Sequence, residues 1–337
     1  MGRFDDYLHQ AAEARAAHCE NLLQGMKYVD LHTDALTKTE GVLQVTGEKL
    51  KAGGCLLECF AAFIEGEHNR FARALAYADD FDKMCTREGY NRVRSFADIQ
   101  EDKINAMLTV EEGGAIEGSL EKLDALYARG VRMMTLLWNC PNEIGHPNFP
   151  DYEGLCLGHG DPRLRETARG LTLFGRECVA RMHALGMIVD ISHASDAVFY
   201  DVAEMSSGKG IPFVASHSGA AEICPWARNL TDRQIKELAD CGGVVGLDFC
   251  ADFLSEDQTP AGQRVAILAH AAHILKVGGE DVLALGSDFD GIPENAYMKD
   301  ASHMPTLLDD FAAAFGERIT EKIASGNALR VMKDALK

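Results

Sequence analysis

Eight short, strongly apolar runs are spaced along the chain. They read "KYVDLHTD" (27–34), "GCLLECFAAF" (54–63), "NAMLTVEE" (105–112), "VRMMTLL" (131–137), "MIVDISH" (187–193), "PFVASHS" (212–218), "GGVVGLDF" (242–249) and "VLALGSDFD" (282–290). Several are apolar almost without interruption, as suits strands buried on both faces of a parallel sheet. Most are separated by stretches of helical period. In "SLEKLDALYARG", Leu120, Leu123 and Leu126 recur at helical spacing, Ser119 can cap the start and Gly130 the end. "GRECVARMHALG", "DRQIKELADCGG" and "AGQRVAILAHAAHILKVGG" follow the same plan. Strand–helix alternation repeated eight times predicts an α/β fold of the (β/α)8 TIM-barrel kind, with a doubly wound sheet as runner-up. The organisation expected is a single barrel domain over 1–337, with an amphipathic N-terminal helix at about 5–24 and a closing helix at about 319–336. Residues 64–103 and the Gly/Pro-rich stretch 139–162 read as insertions.

The polar positions concentrate at the ends of these runs. The first ends in His32 and Asp34, two apart and therefore on one side of a strand. The third ends in Glu111 and Glu112, the fifth in His193, the sixth in His217 and the eighth in Asp288. In a barrel, all C-terminal strand ends open onto one face, where active sites sit. A lone strand-end histidine is usually a capping or core residue. Three imidazoles with several carboxylates are another matter, because burying them without a cation would be very costly. One or two divalent metals resolve that cost, and the donor set suits zinc, with cobalt or manganese as substitutes. Asp30 is expected to support the site without touching a metal. His270 and His273 read as an outer helix face, His183 as helical, and His146 and His159 as loop residues away from the chemistry.

Composition narrows the function. The 337 residues are 47% apolar and carry a formal charge of −19, which disfavours nucleic acid as a partner. No G-x-G-x-x-G precedes a helix, and "SSGKGIPF" lacks P-loop spacing, so no nucleotide site is inferred. The ten cysteines form no C-x-x-C pair, and nothing marks Cys250 as an activated nucleophile. The first residues show no apolar signal region and no run is long enough to span a membrane, so the expectation is a cytoplasmic protein with reduced thiols and no membrane partner.

Six motifs in order, "DLHTD", "EEGGAIEGSLEKLDALYARGVRMMTLLWN", "GLTLFGRECVARMHALGMIVDISH", "VASHSGA", "ARNLTD" and "LGSDFDG", make the chain resemble the membrane dipeptidase (renal dipeptidase) family, peptidase family M19, over roughly residues 25–335. That resemblance implies a barrel of the metal-dependent amidohydrolase type with two divalent ions, zinc by expectation. It places His32 and Asp34 on the first ion, Glu112 as the bridge with Glu111 as the competing choice, and His193 and His217 on the second ion. Asp288 falls on the carboxylate that contacts the metal-bound water, and Arg228 on the residue that holds the substrate's terminal carboxylate. The reaction implied is hydrolysis of a small dipeptide, including those with a C-terminal D-residue, and the assembly implied is a homodimer. Two positions depart from the family's mammalian members: Trp138 stands where they carry a His, and Phe253 where they carry a Tyr. Trp138 is thus a substrate-facing residue that leaves room for N-acyl amino acids, lactams or lactones as alternative substrates. A non-catalytic metal-binding barrel is the rival of a different class, but it would not need the proton carrier Asp288.

Overall fold

The computed structural model describes residues 25–337 apart from positions 39 and 67, so the helix expected at about 5–24 lies outside the described residues. Nine parallel strands form the sheet: β1 (Tyr28–Thr33), β2 (Cys55–Phe63), β3 (Asn91–Arg92), β4 (Asn105–Glu111), β5 (Val131–Thr135), β6 (Ile188–Asp190), β7 (Val214–Ser218), β8 (Val244–Leu247) and β9 (Leu283–Leu285). Their order is β2-β1-β9-β8-β7-β6-β5-β4-β3, and β2 also pairs with β4. That pairing closes eight strands into a (β/α)8 TIM barrel and leaves the two-residue β3 as a flank on β4. The eight apolar runs are the eight barrel strands.

Two layers of core follow from strand alternation. One side of the strands (Val29, Leu31, Met107, Met133, Ile188, Val214, Val244 and Ala284) packs together in the barrel interior and against Ala328, Val331 and Met332 of the last helix. The opposite side packs against the surrounding helices, for example Leu108 and Val189 with Leu123, Val179 and Ile235. Helix Leu120–Arg129 begins where Ser119 accepts the Lys122 N–H and ends on Gly130, whose φ of 109° only glycine adopts readily. Thr172, Thr231 and Thr259 cap the helices Leu173–Leu185, Asp232–Asp240 and Pro260–Gly278 in the same way. The stretch 64–103 contains a long helix, Arg70–Glu88, as well as β3. The C-terminal helical region is broken by a π-helical turn over Lys322–Gly326 before it resumes as Asn327–Ala335.

One sequence expectation is corrected here. His270 is not on an outer face but fully buried, its Nδ1 accepting the Ala220 N–H (2.9 Å) and its Nε2 donating to the Leu254 carbonyl (3.1 Å). Helix Pro260–Gly278 buries residues around much of its circumference, so spacing alone could not place its outer face. His273, by contrast, pairs with Asp232 (2.6 Å) near the surface.

Strand register is irregular where the chemistry lies. The β1–β2 register slips between Asp30 and Thr33, around His32, and the β7–β8 register slips between Ala215 and Ser218, around His217. Such slips re-aim side chains at barrel rims. Asp30, wholly buried, accepts the backbone N–H of His32 (3.3 Å) and of Ser287 (2.8 Å), tying the ends of β1 and β9 beneath the rim.

Candidate metal centre

Five strand ends deliver six polar residues to one place at the barrel mouth. His32 Nε2 lies 3.4 Å from Glu111 Oε2, 3.8 Å from Asp34 Oδ2 and 3.8 Å from Asp288 Oδ1. On the other side, Glu111 Oε1 lies 3.1 Å from His193 Nε2 and 3.7 Å from His217 Nε2, and those two nitrogens are 3.1 Å apart. The His32 and His217 rings face each other at 3.8 Å between centroids. Glu111 therefore turns one oxygen to His32, Asp34 and Asp288 and the other to His193 and His217. All of these side chains are buried or nearly so.

Glu112, the residue expected as the bridge, lies outside this cluster, and Glu111, the competing choice, is the glutamate that enters it. Glu111 is the last residue of β4, and alternation from Met107 through Thr109 aims it into the barrel. At Glu112 the backbone turns with φ 85° and ψ 92°, which swings its side chain out of the cluster. There its Oε1 accepts the Gly114 N–H (2.8 Å) and the Asn142 side-chain amide (2.7 Å), and its Oε2 accepts the Trp138 N–H (2.8 Å). His193 (φ 66°), Asp288 (φ 59°) and Asp290 (φ 68°) are also left-handed. Such conformations cost non-glycine residues on the order of 1 kcal/mol each and gather at functional sites.

Electrostatics show what the cluster lacks. Burial opposes ionisation of Glu111, yet His32 and His193 hold its carboxyl well below the usual range. Burial and the charge of Glu111 push Asp34 up, and burial and Asp248 push Asp288 well up. Burial keeps His217 neutral and lowers His193 to about 4, with Arg228 adding to the effect on both. His32 Nδ1, His32 Nε2 and Asp34 Oδ1 are buried without a hydrogen-bond partner among the described residues. Buried groups are normally satisfied. A surplus of mutually repelling carboxylates beside unpaired imidazole nitrogens fits divalent cations, and two overlapping sets, His32–Glu111–His217 and His32–Asp34–Asp288, have donor atoms close enough to hold them.

Around this centre stand residues suited to substrate. Arg228 is buried, donates from Nη2 to the His217 carbonyl (3.2 Å), lies 3.9 Å from Asp248 Oδ2 and sits over the Phe253 ring at 5.4 Å. Asp248, which the sequence reading did not single out, is also a strand-end carboxylate; burial lifts it to about 6 against the pull of Arg228. Trp138 meets Phe63 and Tyr152 edge-on at 5.0 and 5.4 Å and stands 6.2 Å from the His193 ring, forming an aromatic wall. Behind it opens a cleft of about 740 Å³ lined by Ile64, Arg70, Trp138 and Asn142 among others. Asn139, another residue with no sequence signal, places its Oδ1 2.7 Å from His193 Nδ1 and so leaves Nε2 free to face the cluster. His146 meets the Gly170 carbonyl and His159 is exposed; neither joins the centre.

No helix among the described residues is long and apolar enough to cross a membrane. The model of the membrane dipeptidase family matches residues 15–337. An uncharacterised protein from the pqqA 5′ region of Klebsiella pneumoniae is 36% identical over 253 residues, covering 71% of this chain and 87% of that protein. Among solved structures, a metallopeptidase called dipeptidase AC superposes with a TM-score of 0.80 at 27% identity, covering 93% of this chain and 99% of its own. A Rhodobacter sphaeroides metallopeptidase, solved with a phosphinate mimic of the dipeptide L-Ala-D-Ala, gives 0.79 at 26% identity over 92% of this chain and 99% of its own. The chain belongs to the membrane dipeptidase family, peptidase family M19, and is a metallo-dipeptidase.

Proposed function

We propose that the protein is a zinc-dependent dipeptidase that holds two ions, one by His32 and Asp34 and the other by His193 and His217, with Glu111 as the bridge. The observation that carries this reading is the division of the two Glu111 oxygens between the two sets of ligands. When bound, the ions supply Lewis acidity and a water whose pKa is brought towards neutrality. The protein's own groups do the rest. Asp288, its Oδ1 aimed at the cluster, takes the proton of the attacking water and hands it to the leaving amine, acting as base and then as acid. Arg228 binds the terminal carboxylate of the substrate, which restricts the enzyme to short peptides. Trp138 walls the opposite side. The Rhodobacter sphaeroides relative was solved with a mimic of an L-D dipeptide, which supports L-D dipeptides as substrates here as well.

The test is dipeptide hydrolysis by wild type, by wild type stripped with chelator and by Asp288→Asn. Loss of activity on stripping, its return with zinc, and a fall of at least about 100-fold in kcat for Asp288→Asn are expected. Undiminished turnover by the stripped enzyme would end the metal reading, and undiminished turnover by the variant would end the role of Asp288.

A second reading keeps the centre and exchanges the substrate for an N-acyl amino acid, a lactam or a lactone. The aromatic wall at Trp138 favours it, since it can pack an acyl chain as readily as a side chain. Rates on dipeptides and N-acyl amino acids measured side by side separate the two.

A further inference from the structure

Directly beneath His193 and His217 lies a carboxylate that neither ligates nor reaches substrate. Asp190, the last residue of β6, is wholly buried and collects five donors. Its Oδ1 accepts the N–H of Ser192 (2.9 Å), the hydroxyl of Ser192 (2.9 Å) and the N–H of Ser216 (2.9 Å). Its Oδ2 accepts the hydroxyls of Ser216 (2.6 Å) and Thr135 (2.5 Å). The group spans β5, β6 and β7. Gly246 and Gly286 make room beside it, since a Cβ at either would fall within 1.9 Å of the Ser216 carbonyl oxygen.

Proton accounting gives the network a direction. An ionised carboxylate can only accept. Ser216 has one hydroxyl proton and spends it on Asp190, so toward His217 Nδ1, 2.8 Å away, Ser216 Oγ must accept. The ring proton of His217 therefore sits on Nδ1, and its Nε2 lone pair faces Glu111 and His193. Ser192 does the same for the backbone: its hydroxyl donates to Asp190 and accepts the His217 N–H at 3.1 Å. Ring and backbone of one histidine are thus fixed through two serines by one carboxylate. Thr135 donates to that carboxylate with no hydrogen bond to either histidine, which makes it a built-in control.

We infer that Asp190 is a positioning residue that acts through Ser216 to set the tautomer and donor strength of His217, and so selectively tightens the ion held by His193 and His217. The inference rests on the two-ion reading above. A histidine whose distal N–H is fixed by a carboxylate relay is a stronger and better aimed ligand, and losing such a partner typically lowers metal affinity about 10–100-fold.

The experiment titrates metal-free wild type, Asp190→Asn, Ser216→Ala and Thr135→Val with cobalt(II) against a competing chromophoric chelator, following the visible cobalt bands and the stoichiometry. Metal-free melting temperatures are recorded alongside. Ser216→Ala removes a single hydroxyl and leaves Asp190 four donors, so it reports even where Asp190→Asn does not fold. In Asp190→Asn and Ser216→Ala one of two cobalt affinities should fall about 10–100-fold while the other holds. Thr135→Val should keep both affinities, whatever it costs in melting temperature. Wild-type affinities in Ser216→Ala, or an equal loss in Thr135→Val, would overturn the relay and leave Asp190 a strand tie. A wild type that binds fewer than two ions would instead bring down the two-ion reading, and the inference with it.

Discussion

Glu111 and Glu112 are adjacent in the chain and opposite in environment. The first is held ionised among three imidazoles; the second is buried among N–H donors, and burial raises its pKa. Substitution should separate them cleanly. Glu111→Gln removes the group shared by both halves of the cluster, and is expected to lower metal content and to cut kcat/KM by roughly 100- to 1,000-fold or more, the scale of losing a principal electrostatic group. Glu112→Gln should retain the metal. Its cost is expected as about 1.5–3 kcal/mol of stability, from weakened hydrogen bonds to a buried charge. Metal analysis with denaturation of both variants checks the pair, and metal loss in Glu112→Gln with none in Glu111→Gln would reverse the assignment. At this scale the strand-end residues His32, His193, His217 and Asp288 were legible, because a polar residue closing an apolar run has no bland place to go in a two-sided sheet. Which of two consecutive glutamates faces inward was not, because it depends on where β4 stops and on a positive φ at Glu112 that nothing in "VEEGGA" announces. Asn139 and Asp190 were equally invisible, since Asn139 meets His193 54 residues away and Asp190 meets Ser216 and Thr135 26 and 55 residues away.

Helices show the same division between local and long-range information. The helix Leu120–Arg129 could be bounded from Ser119 and Gly130 alone, because capping is a contact between near neighbours. The burial of His270 could not, because its partners Ala220 and Leu254 belong to other elements. That burial has a consequence for pH. Desolvation lowers His270 to about 4, the neighbouring His273 adding to the effect and the Leu254 carbonyl opposing it. The unfolded chain holds an ordinary histidine near 6.5, so below that value the unfolded state binds more protons than the folded one. The stabilising contribution is therefore present above about pH 6.5 and is lost as pH falls toward 4. Between pH 7 and 5 it amounts to about 2 kcal/mol. His270→Gln offers the Ala220 N–H an acceptor and the Leu254 carbonyl a donor without a titrating group. Wild type should thus lose about 2 kcal/mol more than His270→Gln between pH 7 and 5 in urea denaturation. Parallel losses in the two proteins would show that His270 does not titrate as its burial requires.

For the molecule as a whole, the barrel was legible because closure buries both faces of every strand, which leaves eight nearly unbroken apolar runs. The two-residue β3 was not, being too short to carry a period, and closure passes it by as β2 pairs directly with β4. Closure also fixes an energetic debt at the mouth. Asp34, Glu111, Asp248 and Asp288 converge in a protein of formal charge −19, with Arg228 as the permanently charged cation among them. The rest of the fold must hold these carboxylates together against their repulsion whenever metal is absent. Metal binding and global stability are therefore one equilibrium. With zinc at 1,000 times its dissociation constant, a single site stabilises the native state by about 4 kcal/mol, which in a chain of this size raises the melting temperature by several degrees or more. Chelator-treated protein should accordingly melt lower, and the gap should close as zinc is restored. Asp34→Asn, which removes one carboxylate from the His32 side, should narrow the gap from both ends: its metal-free form melts higher than that of wild type because repulsion is relieved, and its zinc-loaded form melts lower because a ligand is weakened. Calorimetric scans of the two proteins with and without zinc test this. A metal-free Asp34→Asn no more stable than metal-free wild type would show that the clustered carboxylates escape their repulsion by protonation, and that the barrel mouth is not strained toward its ions.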